Sequence, residues 1–292
     1  MAKLAELFEA KSVAIIGASN DNSKAGHHVY KLLIKEGYTG NLYAVHPTEK
    51  EVLGRPCSPS LSAITAPVDL LVIAVSAKAA VSVIEEAATR GDVKGAVILS
   101  AGFAETATPE GIEAERRLVA AAHKAGIRLF GPNCIGVANP DNKLNTGFAP
   151  GMKLIPGNVG YITQSGAFGG ALMMFAGEQP NPLGFAKFGH VGNMCDISNL
   201  EILEYYGEDP KVEVVAMYME GVRDGREFME IAARVGKKKP VLVMKVGRSE
   251  LGAKAALSHT GSLAGSDKVY ESAFKQCGVI RLNTIEELTD GV

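Results

Sequence analysis

The stretch Val13-Ala14-Ile15-Ile16-Gly17-Ala18-Ser19, continuing through a polar loop to Lys24-Ala25-Gly26 and an amphipathic run up to Glu36, decides the fold. Four apolar residues without alternation describe a strand covered on both faces, as in a parallel sheet flanked by helices. The small residues after it make a strand-to-helix turn, whose backbone N–H groups lie where the helix dipole favours an anion. Outward from this point the same alternation recurs. Apolar runs of strand length stand at Leu42–Val45, Leu70–Val75, Ala96–Leu99 and Ile127–Phe130, and helical segments at Gly26–Glu36, Ala77–Thr89 and Pro109–Lys124. Parallel strands need crossovers, and right-handed βαβ units give a doubly wound, Rossmann-like sheet. Only the link His46–Val68, interrupted by Pro47, Pro56, Pro59 and Pro67, reads as irregular.

The turn after the first strand is not that of a dinucleotide-binding fold. Ser19 stands where the second glycine of G-x-G-x-x-G belongs, and the second strand ends Tyr43-Ala44-Val45-His46-Pro47, without an acid for a ribose 2′-hydroxyl. Both usual signs of NAD are missing. A phosphate-bearing ligand that uses the Ser19 hydroxyl and the Lys24 ammonium fits these residues better; a plain structural turn is the alternative.

Beyond this half, Gly131–Gly157 carries Pro132, Pro140, Pro150 and Pro156 among Asn and Gly, which punctuates structure. The alternation then restarts, with strands expected at Val159–Thr163, Gly184–Phe188, Val214–Met219, Val241–Val246 and Val279–Leu282. Helices are expected at Ala167–Ala176, Asn199–Tyr206, Arg226–Val235 and Ser262–Gln276. The α/β reading is therefore a Rossmann-like domain over residues 1–135, a linker over 136–157, and a flavodoxin-like doubly wound domain over 158–292. At about 150 residues per domain, a length of 292 agrees with two.

Composition excludes several classes. Hydrophobic residues make up 47% and charged residues 21%, which is globular rather than disordered. A net charge of −2 gives no basic field for nucleic acid. Every apolar run falls far short of the ~20 residues needed to cross a bilayer, and Lys3, Glu6, Glu9 and Lys11 interrupt any signal-peptide core. Cys57, Cys134, Cys195 and Cys277 are widely spaced with no C-x-x-C pair, so reduced thiols in the cytoplasm are expected, with no zinc site and no other metal.

Taken together, V-A-I-I-G-A-S with Lys24, A-V-S at Ala74–Ser76, L-S-A-G-F at Leu99–Phe103 and G-P-N-C-I-G at Gly131–Gly136 resemble the CoA-binding domain of the NDP-forming acyl-CoA synthetases. That superfamily includes the succinyl-CoA synthetase α subunit and the ADP-forming acetyl-CoA synthetases. The second half continues the resemblance with I-T-Q-S-G-A-F-G at Ile162–Gly169, Y-M-E-G-V at Tyr218–Val222 and S-H-T-G-S-L-A-G-S-D at Ser258–Asp267, the last closest to the ADP-forming acetyl-CoA branch. The resemblance implies that Gly17, Ala18, Ser19 and Lys24 meet the nucleotide end of coenzyme A. Pro47, Val75, Ser76, Ser100, Gly102, Pro132 and Asn133 would line the rest of its cleft. His46 departs from the Asn-Pro common among relatives.

The resemblance further implies a phosphohistidine at His259 and a tautomer-fixing acid at Glu220. An imidazole offers a neutral nucleophilic nitrogen near neutral pH, and its other nitrogen needs an acceptor. Gln164, Ser165, Gly166 and Ala167 end a strand and open a helix, so their N–H groups are expected to hold a phosphoryl group. The implied reaction interconverts acyl-CoA, ADP and phosphate with a small carboxylic acid, CoA and ATP. ATP or ADP with Mg would be bound by a nucleotide-grasp β subunit or fused domain, giving a hetero-oligomer or a longer chain. The chain's last residues, Glu286–Val292, read as a helix stopped early. Readings without ligase turnover are a CoA-binding regulatory module or a protein-acetyltransferase-associated one.

Overall fold

Every residue of β1 (Ser12–Ile16) is buried, as its unbroken apolar run requires. The computed structural model describes residues 2–148, 154–178, 182–248 and 267–291. The chain divides into two compact units, one of Met1–Met152 with Val191–Ile197 and one of Lys153–His190 with Ser198–Val292.

The first unit begins with α1 (Leu4–Phe8), then β1, α2 (Ala25–Glu36), β2 (Asn41–Val45), β3 (Glu51–Val52), β4 (Arg55–Ser58) and β5 (Leu70–Ile73). It continues through α3 (Ala77–Arg90), β6 (Gly95–Ile98), α4 (Pro109–Ala125) and β7 (Arg128–Phe130). The sheet order is β3-β4-β2-β1-β5-β6-β7, parallel throughout except for the antiparallel β3–β4 pair. Apolar residues of the strands, including Ile16, Leu71, Ile73 and Ile98, pack against Ile84 of α3 and Leu118 of α4. The link read as irregular contains β3 and β4, and the segment read as a linker contains an antiparallel pair, β8 (Val137–Asn139) and β9 (Leu144–Asn145).

A later stretch completes this unit. Within Val191–Ile197, Asp196 Oδ2 accepts the Leu129 N–H at 2.8 Å and the Arg128 Nε–H at 2.9 Å. Ile197 N–H donates to Leu129 O and Cys195 N–H to Gly131 O, so this stretch lies along the end of β7.

The second unit contains β10 (Pro156–Thr163), α5 (Gly166–Glu178), β11 (Phe185–His190), α6 (Asn199–Glu208), β12 (Val214–Met219) and α7 (Gly225–Gly236). β13 (Val241–Lys245), α8 (Asp267–Cys277), β14 (Ile280–Leu282) and α9 (Ile285–Asp290) follow. Its strands run β14-β13-β12-β10-β11, all parallel. Counted within the unit this is the flavodoxin-like order 2-1-3-4-5. Ser198 and Asp224 cap α6 and α7 by accepting first-turn N–H groups, the usual reason such residues begin helices. Lys187, inside β11 and 1% exposed at its side chain, pairs with Asp209 at 2.7 Å. Asp209 caps the end of α6.

Candidate functional site

In open α/β sheets, ligands bind outside the carboxyl ends of the strands where the strand order reverses. In the first unit that point lies between β1 and β5. Gly17, immediately after β1, has φ +87°, and a Cβ there would stand 2.7 Å from Ala74 O and 2.8 Å from Val75 Cγ1. The backbone of the Gly17 turn thus lies directly against the chain leaving β5, and two of the expected segments meet. Gly26 makes a second close approach: its Cβ would fall 2.0 Å from Gly17 O. It brings the start of α2 onto the turn, the task of the third glycine in a dinucleotide fingerprint, at a longer spacing.

Other groups fix this turn. Ser19 Oγ accepts the Asp21 N–H at 3.0 Å, and His27 Nδ1 lies 2.9 Å from Ser19 O. A carbonyl only accepts, so Nδ1 carries the proton. Ala18, Ser19 and His27 are buried, whereas Lys24, which immediately precedes α2, is exposed. The backbone N–H of Ser23, followed by its side chain, holds the Asp21 carboxyl below the usual carboxylate range.

The rest of the rim is joined by hydrogen bonds. Ser100 Oγ donates to Val75 O, Asn133 N–H donates to Ser100 O at 2.9 Å, and Asn193 N–H donates to Pro132 O at 2.9 Å. Asn193 Nδ2 also donates to Glu105 Oε2 at 2.6 Å, while Glu105 accepts from the Gly102 and Phe103 N–H groups. Burial raises the Glu105 pKa, and these donors outweigh it and leave the carboxyl below its ordinary value. Ser76, Gly102 and Pro47 are exposed, and Pro132 is buried. His46 Nδ1 accepts the Glu49 N–H at 3.2 Å and the Thr48 N–H at 3.4 Å, closing the turn as an asparagine carbonyl would. Cys134 lies beneath the rim with 2% exposure, and burial pushes its thiol up to about 12.

In the second unit the order reverses between β10 and β12. Gln164 follows β10 and Glu220 follows β12, with 5% and 7% exposure. Gln164 Oε1 accepts the Glu220 N–H at 2.6 Å and the Gly221 N–H at 3.1 Å. Gln164 N–H donates to Tyr218 O, and His190 Nε2 lies 3.2 Å from Gln164 O. Ser165 N–H donates to Thr163 Oγ1, and Ser165 Oγ accepts the Phe168 N–H as a helix cap. Of the four residues expected to hold a phosphoryl group, Gln164 and Ser165 therefore use their backbone donors internally. Gly166 and Ala167 open α5, where a helix has no internal acceptors for its N–H groups. Lys245, buried at the end of β13, lies 4.6 Å from the Tyr270 ring centroid. Burial holds its ammonium below the ordinary lysine value; Asp267 opposes this, Arg281 adds to it, and Glu220 opposes it.

His259 lies outside the described residues, in the segment between β13 and α8. Gly26, His27, Asn193, Glu105 and Lys245 carry no site role in the sequence reading. The G-x-G-x-x-G spacing is absent around Gly26, and Asn193 joins the rim only through long-range folding. Among the described residues no group of three His, Cys, Asp or Glu side chains is placed to hold a metal ion, and no helix is long and apolar enough to cross a membrane.

Residues 11–140 match the CoA binding domain family, and residues 156–292 match the succinyl-CoA ligase like flavodoxin domain. The chain therefore joins a CoA binding domain to a succinyl-CoA ligase like flavodoxin domain, and it is similar over nearly its whole length to ADP-forming acetate–CoA ligases. It is 47% identical, over 98% of its length, to the α subunit of acetate–CoA ligase [ADP-forming] I from Pyrococcus furiosus, of which it covers 62%. It is 44% identical over 97% of its length to acetate–CoA ligase [ADP-forming] I from Archaeoglobus fulgidus, covering 40% of that protein. The structure of the dinucleotide-forming acetyl-coenzyme A synthetase 1 from Ca. Korarchaeum cryptofilum, in complex with phosphate and ADP, superposes with a TM-score of 0.92 at 39% identity. That likeness covers 99% of this chain and 61% of the other. The chain thus spans about 40–60% of the length of these relatives.

Proposed function

We propose that the chain is the CoA-binding and phosphohistidine-bearing part of an ADP-forming acyl-CoA ligase of the acetate type. Acyl-CoA and phosphate exchange to give an acyl phosphate and free CoA. A His259 nitrogen then takes the phosphoryl group, releasing the carboxylic acid, and ADP removes it to become ATP; each step is reversible. CoA would lie along the rim from Gly17, Ala18, Ser19 and Lys24 to Pro47, Val75, Ser76, Ser100, Gly102, Pro132 and Asn133, its phosphates toward α2. The other His259 ring nitrogen would donate to Glu220, whose charge favours the developing imidazolium. Gly166 and Ala167 N–H groups at the start of α5 would face the phosphoryl group. The nucleotide, with Mg2+, would be held by a nucleotide-grasp subunit or fused domain, in the cytoplasm where thiols stay reduced.

The observation that carries this reading is the buried Glu220 carboxylate at the switch point that also begins α5. Its test is incubation of the chain and the nucleotide-grasp portion with ATP labelled in the γ-phosphate. An acid-labile, base-stable label is expected, and His259→Ala should abolish it while leaving CoA binding intact. A label that persists in His259→Ala, or that resides on Ser165, overturns the assignment.

A further inference from the structure

We propose that Gln164 is a positioning residue for Glu220, not a ligand of the transferred phosphoryl group. The inference rests on the phosphohistidine reading only in giving Glu220 its task; the geometry stands by itself. Gln164 Oε1 receives two backbone N–H groups, from Glu220 at 2.6 Å and Gly221 at 3.1 Å. Two donors on one atom settle the orientation of the amide, because a backbone N–H can only donate. The main chain of Gln164 is held as well, by the Tyr218 carbonyl and by His190 Nε2. One residue after β10 therefore ties together the ends of β11 and β12, the latter across the point where the strand order reverses.

The consequence is geometric. The turn after β12 sets the direction in which the Glu220 side chain leaves the backbone, and the two bonds to Gln164 fix that turn. Glu220 is 7% exposed, so a shifted backbone would carry the carboxylate out of the position its proposed role requires, with little room to recover. A group held in this way is already arranged before reaction, which is where electrostatic stabilisation is most effective. The Gln164 amide oxygen and backbone N–H are both occupied by protein groups, so loss of the side chain releases the turn that carries Glu220.

The test uses the chain assembled with its nucleotide-grasp portion. Gln164→Met keeps length and removes the acceptor. It should slow His259 phosphorylation by about 10–100-fold while leaving KM for phosphate within about 2-fold, the pattern of a lost transition-state interaction. In a Glu220→Gln background the same change should cost less than about 3-fold, because both substitutions remove one unit. A raised KM for phosphate with unchanged kcat, or full additivity, overturns the proposal. Hydrogen exchange on the wild-type chain needs no variant: the Glu220 and Gly221 amides should be protected, and inorganic phosphate should not alter them. Exchange of those amides at the rate of an open loop also overturns it. Gln164→Glu, which keeps an acceptor oxygen, should retain the protection if Gln164→Met fails to fold. Absence of label on the wild-type assembly defeats the phosphohistidine reading, whereas protected amides in the same sample uphold the hold of Gln164 on Glu220.

Discussion

Gly26→Ala should disable the turn proposed to hold the CoA phosphates while leaving the sheet in place. The added Cβ would lie 2.0 Å from Gly17 O, 2.7 Å from Gly17 C and 3.2 Å from Ala18 N, all backbone atoms, and ordinary contact begins at 3.4 Å. The start of α2 must therefore retreat by about 1.4 Å from the turn. Forced overpacking of this kind costs about 1–3 kcal/mol. The displaced helix start would also forfeit a charge-assisted hydrogen bond to a bound phosphate, about 1.5–3 kcal/mol, or about 10–100-fold in Kd. The assays are isothermal titration with CoA and thermal unfolding followed by circular dichroism. Gly225→Ala is the control, because nothing stands within 4 Å of a Cβ there and alanine favours helix; its Tm should hold or rise. Wild-type Tm and CoA affinity in Gly26→Ala would refute the reasoning.

Two further outcomes follow from buried ionisable groups. Asp209→Asn leaves the Lys187 ammonium buried without its counter-charge and should cost about 3–5 kcal/mol. Burial raises the Asp209 pKa, but hydrogen bonds from Lys187 and the Lys211 N–H outweigh it and hold the carboxyl below its ordinary value. That stabilisation is complete above the unfolded carboxylate pKa of about 3.9 and is lost as pH falls through the lower folded value. Wild-type Tm should therefore fall more steeply than that of Asp209→Asn in this acid range, and parallel profiles would count against the pair. Iodoacetamide at pH 8 should spare Cys134, whose thiol is pushed up to about 12 by burial; peptide mass spectrometry showing modification at the rate of a free thiol would contradict its placement.

The elements that sequence reveals are those whose burial is complete. β1, β5, β6 and β12 are near-continuous apolar runs because helices cover both faces of the sheet. β4 is hidden because Arg55-Pro56-Cys57-Ser58 has neither an apolar run nor alternation; it exists through pairing with β2, which includes the His46 N–H to Ser58 O bond. β8 and β9 are hidden by their brevity. Ser19, Lys24, Gln164 and Glu220 are legible as candidates from residue type and motif. The bonding of Gln164 to Glu220 is not, since the two are 56 residues apart and meet only once the strand order is set. The same holds for Asn193 and Glu105, which touch across 88 residues.

The Val191–Ile197 stretch sets the order in which the molecule can mature as it is synthesised. Arg128 and Leu129 wait for Asp196, 68 residues downstream of Arg128. At a synthesis rate of about 5–20 residues per second, that delay is on the order of 3–14 seconds. β10, α5 and β11 are all translated during the wait. The first unit therefore emerges with β7 incompletely bonded, and its final closure is timed by the appearance of Val191–Ile197, a piece encoded after the second unit has begun. A gene cut between the two halves would yield an amino-terminal product in which the Leu129 N–H and the Arg128 guanidinium never meet the Asp196 carboxylate.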